Sequence, residues 1–234
     1  AESAVAEAPN HQMALALRAT AWRMTGDQRY AAMYDYGRLV GAYDLFDERK
    51  AEDREYLEAL RAALHRLHGF NVHPFSQSIR GGGQSALRLD GAHEEPIEYL
   101  LTRFRATVQQ HIRAIGAGDS VFDLRNSGSA VLSGAWSVRL EASGHHTNHV
   151  HPMGWLSSAF YVSTPDESDD AAAKPGWIKF GEPGIRTTPP LTPELYVQPK
   201  PGRLVLFPSY MWHGTVPFAS SQQRLTVAFD AVPA

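Results

Sequence analysis

The hydrophobic positions in the first half of the chain follow the spacing of α-helices. Residues 10–68 have this pattern with one interruption, and a longer uninterrupted stripe runs through residues 95–115. The stripe near the end of the first region consists of Leu57, Leu60, Leu64 and Leu67. The second consists of Ile97, Leu101, Phe104, Val108, Ile112 and Ile115. A helix with so continuous an apolar face needs a flat apolar partner, so residues 95–115 are predicted to pack on a β-sheet.

From about residue 130 the pattern changes to the two-residue alternation of β-strands. Trp136, Val138 and Leu140 alternate with polar residues, which indicates a strand with one buried face. Further strand candidates, separated by turns, are residues 156–162, 177–180, 195–197, 203–207, 211–216 and 224–229. Several short strands joined by turns predict a barrel or jelly roll. The expected fold class is therefore α+β with a mainly β core.

The first helical region is interrupted at Thr25, Gly26 and Asp27. The two helices beside this turn look like the last unit of a tetratricopeptide-type repeat, although one unit establishes no period. A helical cap on the main domain explains the same pattern, and both interpretations stay open. We expect an N-terminal helical segment over residues 1–68, which could also dock a protein partner, and a main domain over residues 69–234.

Composition narrows the functional classes. The 234 residues are 43% hydrophobic and 20% charged, the balance of a globular protein. A formal net charge of −3 gives no electrostatic reason to expect nucleic acid or a membrane surface as a partner. The chain has no cysteine, which excludes disulfides and thiolate metal sites and fits the reducing cytoplasm. No apolar run approaches the ~18 residues of a membrane span. Because residue 1 is alanine, we expect a trimmed chain.

Four of the eleven histidines lie within residues 145–151. His149 and His151 stand two residues apart, so on a strand both side chains leave the same face. A neutral imidazole is a common metal ligand near pH 7. At least one further ligand is needed, and His213 is the candidate. The pattern predicts a metal site on a β-scaffold.

Polar residues suited to binding an anion follow His213. Arg224 and Thr226 share one face of a predicted strand, where a guanidinium and a hydroxyl can hold a carboxylate through charge-assisted hydrogen bonds. Arg139 is a further candidate contact for such a ligand, and an ion pair with Glu141 is the alternative. These residues predict an anion site beside the metal.

Residues 69–92 are rich in glycine and in polar side chains. Three consecutive glycines permit close backbone approach to a ligand, but the lysine of a phosphate-binding loop is missing. A flexible connector is the plainer interpretation. Against it, Gln77, Arg80 and Gln84 form a polar set that a connector does not need. We take these three and Trp155 as candidate substrate-binding residues, core packing being the alternative for Trp155.

Several of these motifs occur in an order and spacing shared with a known family. They are residues 73–84, 134–140, 149–152, 155–157, 201–208, 212–218 and 224–230. Together they resemble the iron(II)- and 2-oxoglutarate-dependent oxygenases, specifically a bacterial branch often found behind tetratricopeptide repeats. The resemblance implies a double-stranded β-helix, a squashed jelly-roll barrel with helices packed outside. It also implies Fe(II) as the metal and 2-oxoglutarate as the co-substrate.

The resemblance assigns roles position by position. His149 matches the first metal ligand, His213 the second histidine, and Arg224 the basic residue that binds the distal carboxylate of 2-oxoglutarate. Position 151 departs from the pattern, because most members carry an aspartate or glutamate there and so complete two histidines and one carboxylate. With His151 in its place, either three histidines hold the metal or His151 turns away and two remain.

The departure at position 151 has an expected electrostatic consequence. Three neutral imidazoles leave a 2+ ion uncompensated until the dianionic 2-oxoglutarate arrives. Metal and co-substrate are therefore expected to tighten each other's binding by the same factor. His151→Asp is expected to raise the affinity for Fe(II) in the absence of 2-oxoglutarate.

The resemblance implies an oxygenase that couples oxidative decarboxylation of 2-oxoglutarate to hydroxylation of an unidentified small-molecule or peptide substrate, with release of succinate and CO₂. Arg224, Thr226 and Arg139 are its candidate co-substrate contacts. Two alternatives stay open: a cupin-like metal-dependent enzyme that does not use 2-oxoglutarate, and a non-catalytic interaction module.

Overall fold

The computed structural model describes residues 1–68 and 78–234, which form six α-helices and nine β-strands. The helices are α1 (Glu2–Glu7), α2 (Gln12–Thr25), α3 (Arg29–Met33), α4 (Tyr36–Leu39), α5 (Ala51–Leu67) and α6 (Glu95–Ile115). The strands are β1 (Gly41–Asp44), β2 (Ile79–Leu87), β3 (Ala130–His146), β4 (Leu156–Ser163), β5 (Ile178–Phe180), β6 (Leu195–Val197), β7 (Arg203–Pro208), β8 (His213–Thr215) and β9 (Arg224–Pro233). Within these ranges no helix is both long enough and apolar enough to cross a membrane.

The strands form two antiparallel sheets. The larger has the order β1-β7-β4-β9-β3-β2, and the smaller has the order β6-β5-β8. The central strands β4, β7 and β9 are almost entirely buried, which explains their near-continuous apolar sequences. The sheets face each other: Phe180 of the smaller sheet contacts Phe207 of the larger, with ring centroids 5.0 Å apart. This is the squashed two-sheet barrel that the resemblance implies.

Helix α6 packs on the larger sheet as predicted, and its bounds coincide with the predicted residues 95–115. The ring of Phe104 lies 5.4 Å from that of Phe160 on β4 and 4.7 Å from that of Phe229 on β9. Pro96 lies in the first turn of the helix, where its missing N–H has no intrahelical partner to lose. Burying a phenylalanine side chain stabilises a fold by roughly 1.5–3 kcal/mol. The contacts of Phe104 therefore hold the helix on the sheet.

Helix α2 lies against the barrel beside the segment that contains His213. The indole N–H of Trp212 donates to Thr20 Oγ1 at 3.0 Å, and its backbone N–H donates to the hydroxyl of Tyr34 at 3.1 Å. Gly26 ends α2 in the left-handed conformation at φ 69°, where the sequence predicts a break. One hydrophobic core contains residues of these helices and of both sheets. The N-terminal helices therefore pack against the barrel.

Two strands form where the sequence does not predict them. Strand β1 lies inside the predicted helical region 10–68 and pairs with β7, and β2 lies in the glycine-rich segment and pairs with β3. Glycine has a low strand propensity, so pairing with the long strand β3 decides the conformation of β2. A Cβ at Gly82 would collide with the carbonyl oxygen of Arg139. Gly82 therefore permits the close approach of two backbones, which is one of the roles that the run of three glycines predicts.

The strand predictions after residue 150 correspond to β4–β9, with bounds that differ by a few residues. The prediction that His149 and His151 lie on a strand is wrong, because both fall between β3 and β4. Their backbone is nevertheless extended by pairing with residues near β8. The N–H of His149 donates to the carbonyl of His213 at 2.9 Å, and that of His151 donates to the carbonyl of Ser209 at 3.0 Å. Tertiary pairing thus supplies the shared side-chain direction that the two-residue spacing suggested.

Candidate active site

Three histidines meet between the two sheets. Nitrogen atoms of His149, His151 and His213 lie within 4.8 Å of one another, close enough for one ion to contact all three. The Nε2 atoms of His149 and His151 are 3.3 Å apart, and the rings of His149 and His213 are 4.2 Å apart between centroids. The isolated bridge between His149 and His213 brings their backbones together. The structure therefore joins the three residues that the sequence proposes as metal ligands.

Main-chain carbonyls fix two of the three rings. His149 donates from Nδ1 to the carbonyl of Thr147 at 2.8 Å, and His213 donates from Nδ1 to the carbonyl of Met211 at 2.9 Å. Since a carbonyl oxygen only accepts, the proton is on Nδ1 and the lone pair is on Nε2. Burial, followed by the neighbouring His151, lowers the pKa of His149 to about 3, and burial lowers the pKa of His213 well below its usual range. Both imidazoles are therefore neutral near pH 7, the form that binds metal.

The third ring is oriented by a carboxylate. His151 donates from Nδ1 to Oδ1 of Asp230 at 2.6 Å. The same Oδ1 accepts a hydrogen bond from Ser157 Oγ at 2.7 Å. Asp230 therefore places a carboxylate against one of the three imidazoles, a partner that the expectation of three uncompensated imidazoles did not include.

The histidines open into a cavity of about 540 Å³ between the sheets. Its wall is mostly apolar, with a few polar groups that converge on the histidines, which is the usual composition of a small-molecule site. Its lining besides the three histidines includes Gln84, Trp136, Val138, His146, Ala159, Ile178, Phe207, Thr215, Arg224, Thr226 and Asp230. Dry walls of this kind strengthen the electrostatic interactions of any bound anion.

Arg224 is the cation of this cavity. The residue is 3% exposed, and its Nη1 donates to the carbonyl of Gly176 at 3.0 Å and to Thr215 Oγ1 at 3.3 Å. Among the described residues no carboxylate pairs with it, and its Nε has no hydrogen-bond partner there. The ring of Tyr161 lies 5.0 Å from its guanidinium carbon, and burial lowers the pKa of Arg224. A buried, uncompensated guanidinium is costly unless an anion binds it, so this site fits a carboxylate ligand.

One strand delivers several of these groups. Side chains of a strand alternate between faces, and Arg224, Thr226, Ala228 and Asp230 all line the cavity from the inner face of β9. The hydroxyl of Thr226 is 3.5 Å from the carbonyl of Val138 on the neighbouring strand. The predicted shared face of Arg224 and Thr226 is therefore confirmed.

Other candidates lie elsewhere. Arg139 pairs with Glu141 at 3.1 Å, as its alternative interpretation has it, and lies on the face of β3 opposite to Val138, outside the lining of the cavity. Trp155 is buried against Phe122, with ring centroids 4.4 Å apart and its indole N–H bonded to the carbonyl there. The indole thus packs in the core, the alternative given for Trp155, and does not line the cavity.

Of the glycine-rich segment's polar set, Gln84 lines the cavity. Arg80 is exposed, donates to the carbonyl of Ile79 at 2.9 Å and does not line the cavity; a register shift between Arg80 and Gly82 separates its side-chain direction from that of Gln84. Gln77 lies outside the described residues. Of the two described members, Gln84 therefore reaches the site and Arg80 does not.

Sequence reasoning missed Asp230 and Ser157. Asp230 stands six residues after Arg224, so the two-residue alternation of a strand would have placed both on one face. Ser157 faces Asp230 in the pairing of β4 with β9. That register is a tertiary property, and periodicity along one strand cannot give it.

The chain matches one family model in sequence. Residues 134–230 match the family described as "Putative 2OG-Fe(II) oxygenase". The matched segment runs from β3 to β9 and includes the three histidines, Arg224 and Asp230. No curated protein matches the chain.

Solved structures share the fold at low sequence identity. A prolyl-4-hydroxylase from Pseudomonas putida has a TM-score of 0.53 and 17% identity, over 87% of this chain and 98% of that chain. A viral collagen prolyl hydroxylase from Paramecium Bursaria Chlorella virus-1 was solved with 2-oxoglutarate. It has a TM-score of 0.55 and 13% identity, over 85% of this chain and 98% of the viral chain. HygX from Streptomyces hygroscopicus was solved with nickel and 2-oxoglutarate. It has a TM-score of 0.51 and 14% identity, over 86% of this chain and 85% of the HygX chain.

The fold comparisons confirm the predicted double-stranded β-helix. The donor set also fits the cofactors, since three neutral imidazoles can hold a divalent metal and the buried Arg224 can bind an anion. Residues 134–230 therefore match the family of putative 2OG-Fe(II) oxygenases in sequence, and the chain shares the fold of the solved prolyl hydroxylases and of HygX.

Proposed function

We propose that the chain is a dioxygenase that hydroxylates its substrate while converting 2-oxoglutarate and O₂ to succinate and CO₂. The observation that carries the proposal is the buried Arg224, which has no carboxylate partner among the described residues and lines the same cavity as the three histidines. A cation of this kind is stabilised by a dianionic co-substrate that reaches from the metal to the arginine.

His149, His151 and His213 would hold Fe(II) in this proposal, and Arg224 with Thr226 would hold the distal carboxylate of 2-oxoglutarate. When bound, Fe(II) and 2-oxoglutarate would together activate O₂, the oxidant that hydroxylation of an unactivated C–H bond requires. The protein's own contribution is to fix the imidazole tautomers, to orient the co-substrate carboxylate and to exclude water with the apolar walls at Val138, Ile178 and Phe207. Apolar residues on both sheets support that last role.

The substrate would enter at the exposed part of the cavity wall, beside Met153. Trp136, Met153 and Gln84 line the cavity, and Met153 is 84% exposed. An exposed methionine and an indole offer apolar contact, while the amide of Gln84 offers hydrogen bonds. This supports a small-molecule or peptide substrate. Both kinds of ligand occur among the structural neighbours, in a prolyl hydroxylase with a peptide fragment and in HygX with hygromycin B.

The proposal is tested with labelled 2-oxoglutarate. The purified protein, loaded anaerobically with Fe(II) and then exposed to O₂, is expected to release succinate and CO₂ slowly without substrate and faster with the right one. Arg224→Ala is expected to release much less succinate and CO₂ at the same concentration of 2-oxoglutarate. Arg139→Ala is the matched control, since it removes a strand arginine that points away from the cavity.

The alternatives predict different results in the same assay. A cupin-like enzyme that does not use 2-oxoglutarate would bind metal but neither bind nor consume 2-oxoglutarate. A non-catalytic interaction module would hold no stoichiometric metal. Either outcome refutes the proposed dioxygenase.

We further propose that residues 1–68 act as a helical cover on an oxygenase unit over residues 69–234. The contacts of Trp212 with Thr20 and Tyr34 support the cover rather than a free repeat unit. A cytoplasmic location belongs to the same proposal, because a reducing compartment maintains Fe(II) and the cysteine-free chain needs no oxidising one.

A further inference from the structure

A buried carboxylate stands directly behind the metal site and pairs with no arginine or lysine among the described residues. The side chain of Asp230 is 12% exposed, and its Oδ1 accepts from Nδ1 of His151 at 2.6 Å and from Ser157 Oγ at 2.7 Å. The charge of Asp230 is therefore directed at His151. A buried carboxylate without a cation destabilises a fold unless hydrogen bonds compensate for its lost hydration, and here His151 and Ser157 donate those bonds.

The surroundings of Asp230 are built to hold it in place. Ser157 Oγ also hydrogen-bonds to Ser209 Oγ at 2.7 Å, which forms a chain of hydroxyls leading to the carboxylate. A Cβ at Gly154 would collide with Ser209 Oγ and would lie 3.0 Å from Cγ of Asp230. Only glycine leaves room for this network at that position, so backbone and side chains cooperate in placing the carboxylate.

His151 depends on this carboxylate in a way that the other two histidines do not. Main-chain carbonyls fix the Nδ1 protons of His149 and His213. For His151, within residues 1–68 and 78–234, Asp230 is the acceptor that faces Nδ1. An ionised carboxylate only accepts, so it holds the proton on Nδ1 and turns the Nε2 lone pair toward the other imidazoles.

We propose that Asp230 is the positioning residue of the metal site: it makes His151 the third ligand and supplies, through the imidazole ring, the negative charge that a carboxylate ligand would supply directly. This inference rests on the proposed function. It replaces the picture of three uncompensated imidazoles, because a carboxylate bonded to a ligating imidazole raises the basicity of that ligand. The carboxylate that position 151 lacks is provided by β9, on the same strand face as Arg224.

The test measures metal binding without turnover. Metal-free protein is titrated with Co(II) under calorimetry and visible absorption, which reports the coordination geometry. Asp230→Asn keeps the shape and an acceptor oxygen but removes the charge, and it is expected to weaken Co(II) binding about 10- to 100-fold. Ser157→Ala is the matched control, since it disturbs the same network and leaves the carboxylate; its expected loss is smaller.

A double variant separates charge from shape. His151→Asp combined with Asp230→Asn places the carboxylate directly against the metal and is expected to recover Co(II) affinity relative to Asp230→Asn alone, with altered visible bands. A merely structural role of Asp230 predicts no such recovery. A double variant that binds as weakly as Asp230→Asn would overturn the charge role.

Wild-type protein provides a test that no folding defect can obscure. Long-range ¹H–¹⁵N spectra of metal-free and Zn(II)-loaded protein are expected to show the proton of His151 on Nδ1. A proton on Nε2 in both forms would overturn the inference.

The controls distinguish this inference from the proposed function. If His149→Ala no longer binds Co(II) while Asp230→Asn binds it as wild type does, the metal site is correct and the role of Asp230 is refuted. If His149→Ala binds Co(II) normally, the proposed metal site itself is wrong.

Discussion

At the scale of single residues, the site combines two kinds of histidine environment. Those of His149 and His213 are set by carbonyls of their own backbone segments, two residues away in each case. That of His151 is set by Asp230, which is far away in sequence. The contacts of His149 and His213 with nearby carbonyls are therefore preserved when residues elsewhere are substituted. The contact of His151 with Asp230 forms only when the barrel strands are correctly paired.

Removing a metal-ligating imidazole is expected to abolish stoichiometric metal binding. His213→Ala and His149→Ala each leave two imidazoles, too few to hold a divalent ion specifically. Metal content and Co(II) calorimetry measure the effect. His145→Ala is the control, because this nearby histidine does not line the cavity. Full stoichiometric binding by either ligand variant would contradict the assignment.

Arg224→Ala is expected to preserve metal binding and to weaken 2-oxoglutarate binding by about 2–4 kcal/mol, the range for truncating one partner of a buried charge pair. Calorimetry of the Co(II)-loaded protein measures the change, with Arg139→Ala as the control of equal charge. An unchanged affinity in Arg224→Ala would place the co-substrate carboxylate elsewhere.

At the scale of elements, helix α6 brings both packing and a titrating group to the larger sheet. His111 on this helix is buried and contacts the hydroxyl of Tyr43 on β1, with 2.9 Å between Nδ1 and the oxygen. Burial lowers the pKa of His111 to about 4. Protonation of His111 at low pH is therefore expected to weaken the packing of α6 beside the edge strand β1.

His111 is expected to make folding sensitive to acid. Its pKa is about 4 in the folded chain against an ordinary value of 6.5, so the unfolded state binds more protons between these values. Its stabilising contribution is thus complete above pH ~6.5 and is lost as pH falls toward 4, by up to about 3 kcal/mol. Urea unfolding of metal-free wild type and His111→Gln across this range measures it. Equal pH slopes for the two proteins would contradict the prediction.

Phe104→Ala is expected to destabilise the fold by about 3–5 kcal/mol, because the ring contacts β4 and β9 and leaves a cavity when removed. Denaturant unfolding at one pH measures the loss. Leu124→Ala is the control: Leu124 is 75% exposed, and its removal is expected to change stability by no more than about 0.5 kcal/mol. Similar losses in both variants would contradict the packing assigned to α6.

At the scale of the whole molecule, the N-terminal helices and the barrel share one hydrophobic core. The strand β1 extends the larger sheet from within residues 1–68. Arg23 on α2 donates to the carbonyl of Gly181 at 2.9 Å, which adds a polar contact to the same interface. The cover and the barrel therefore depend on each other for burial of their apolar faces.

The whole chain is expected to unfold in one cooperative transition, since neither part can bury its apolar surface alone. Tryptophan fluorescence and far-ultraviolet circular dichroism should give coincident curves. Thr20→Val removes the acceptor of the Trp212 indole and should lower the stability of that single transition by about 1–3 kcal/mol. Two separated transitions would show that residues 1–68 fold independently.

Sequence periodicity by itself determined α6, the strands after residue 150 and the shared face of Arg224 and Thr226. These features depend on side chains that face the same way every two, three or four residues, and this repeat is visible in the order of apolar and polar residues along the chain. The close spacing of His149 and His151, with His213 further along the chain, also indicated the metal site.

Tertiary structure decided what depends on partners distant in sequence. Pairing with β3 made a strand of the glycine-rich segment, and β1 formed because β7 offered an open edge. Residues 209–213 extended the backbone of His149 and His151, and β9 delivered Asp230 to the ring of His151. Strand register and side-chain pairing across sheets are set by packing of the whole barrel. The charge balance of the metal site is a product of that packing.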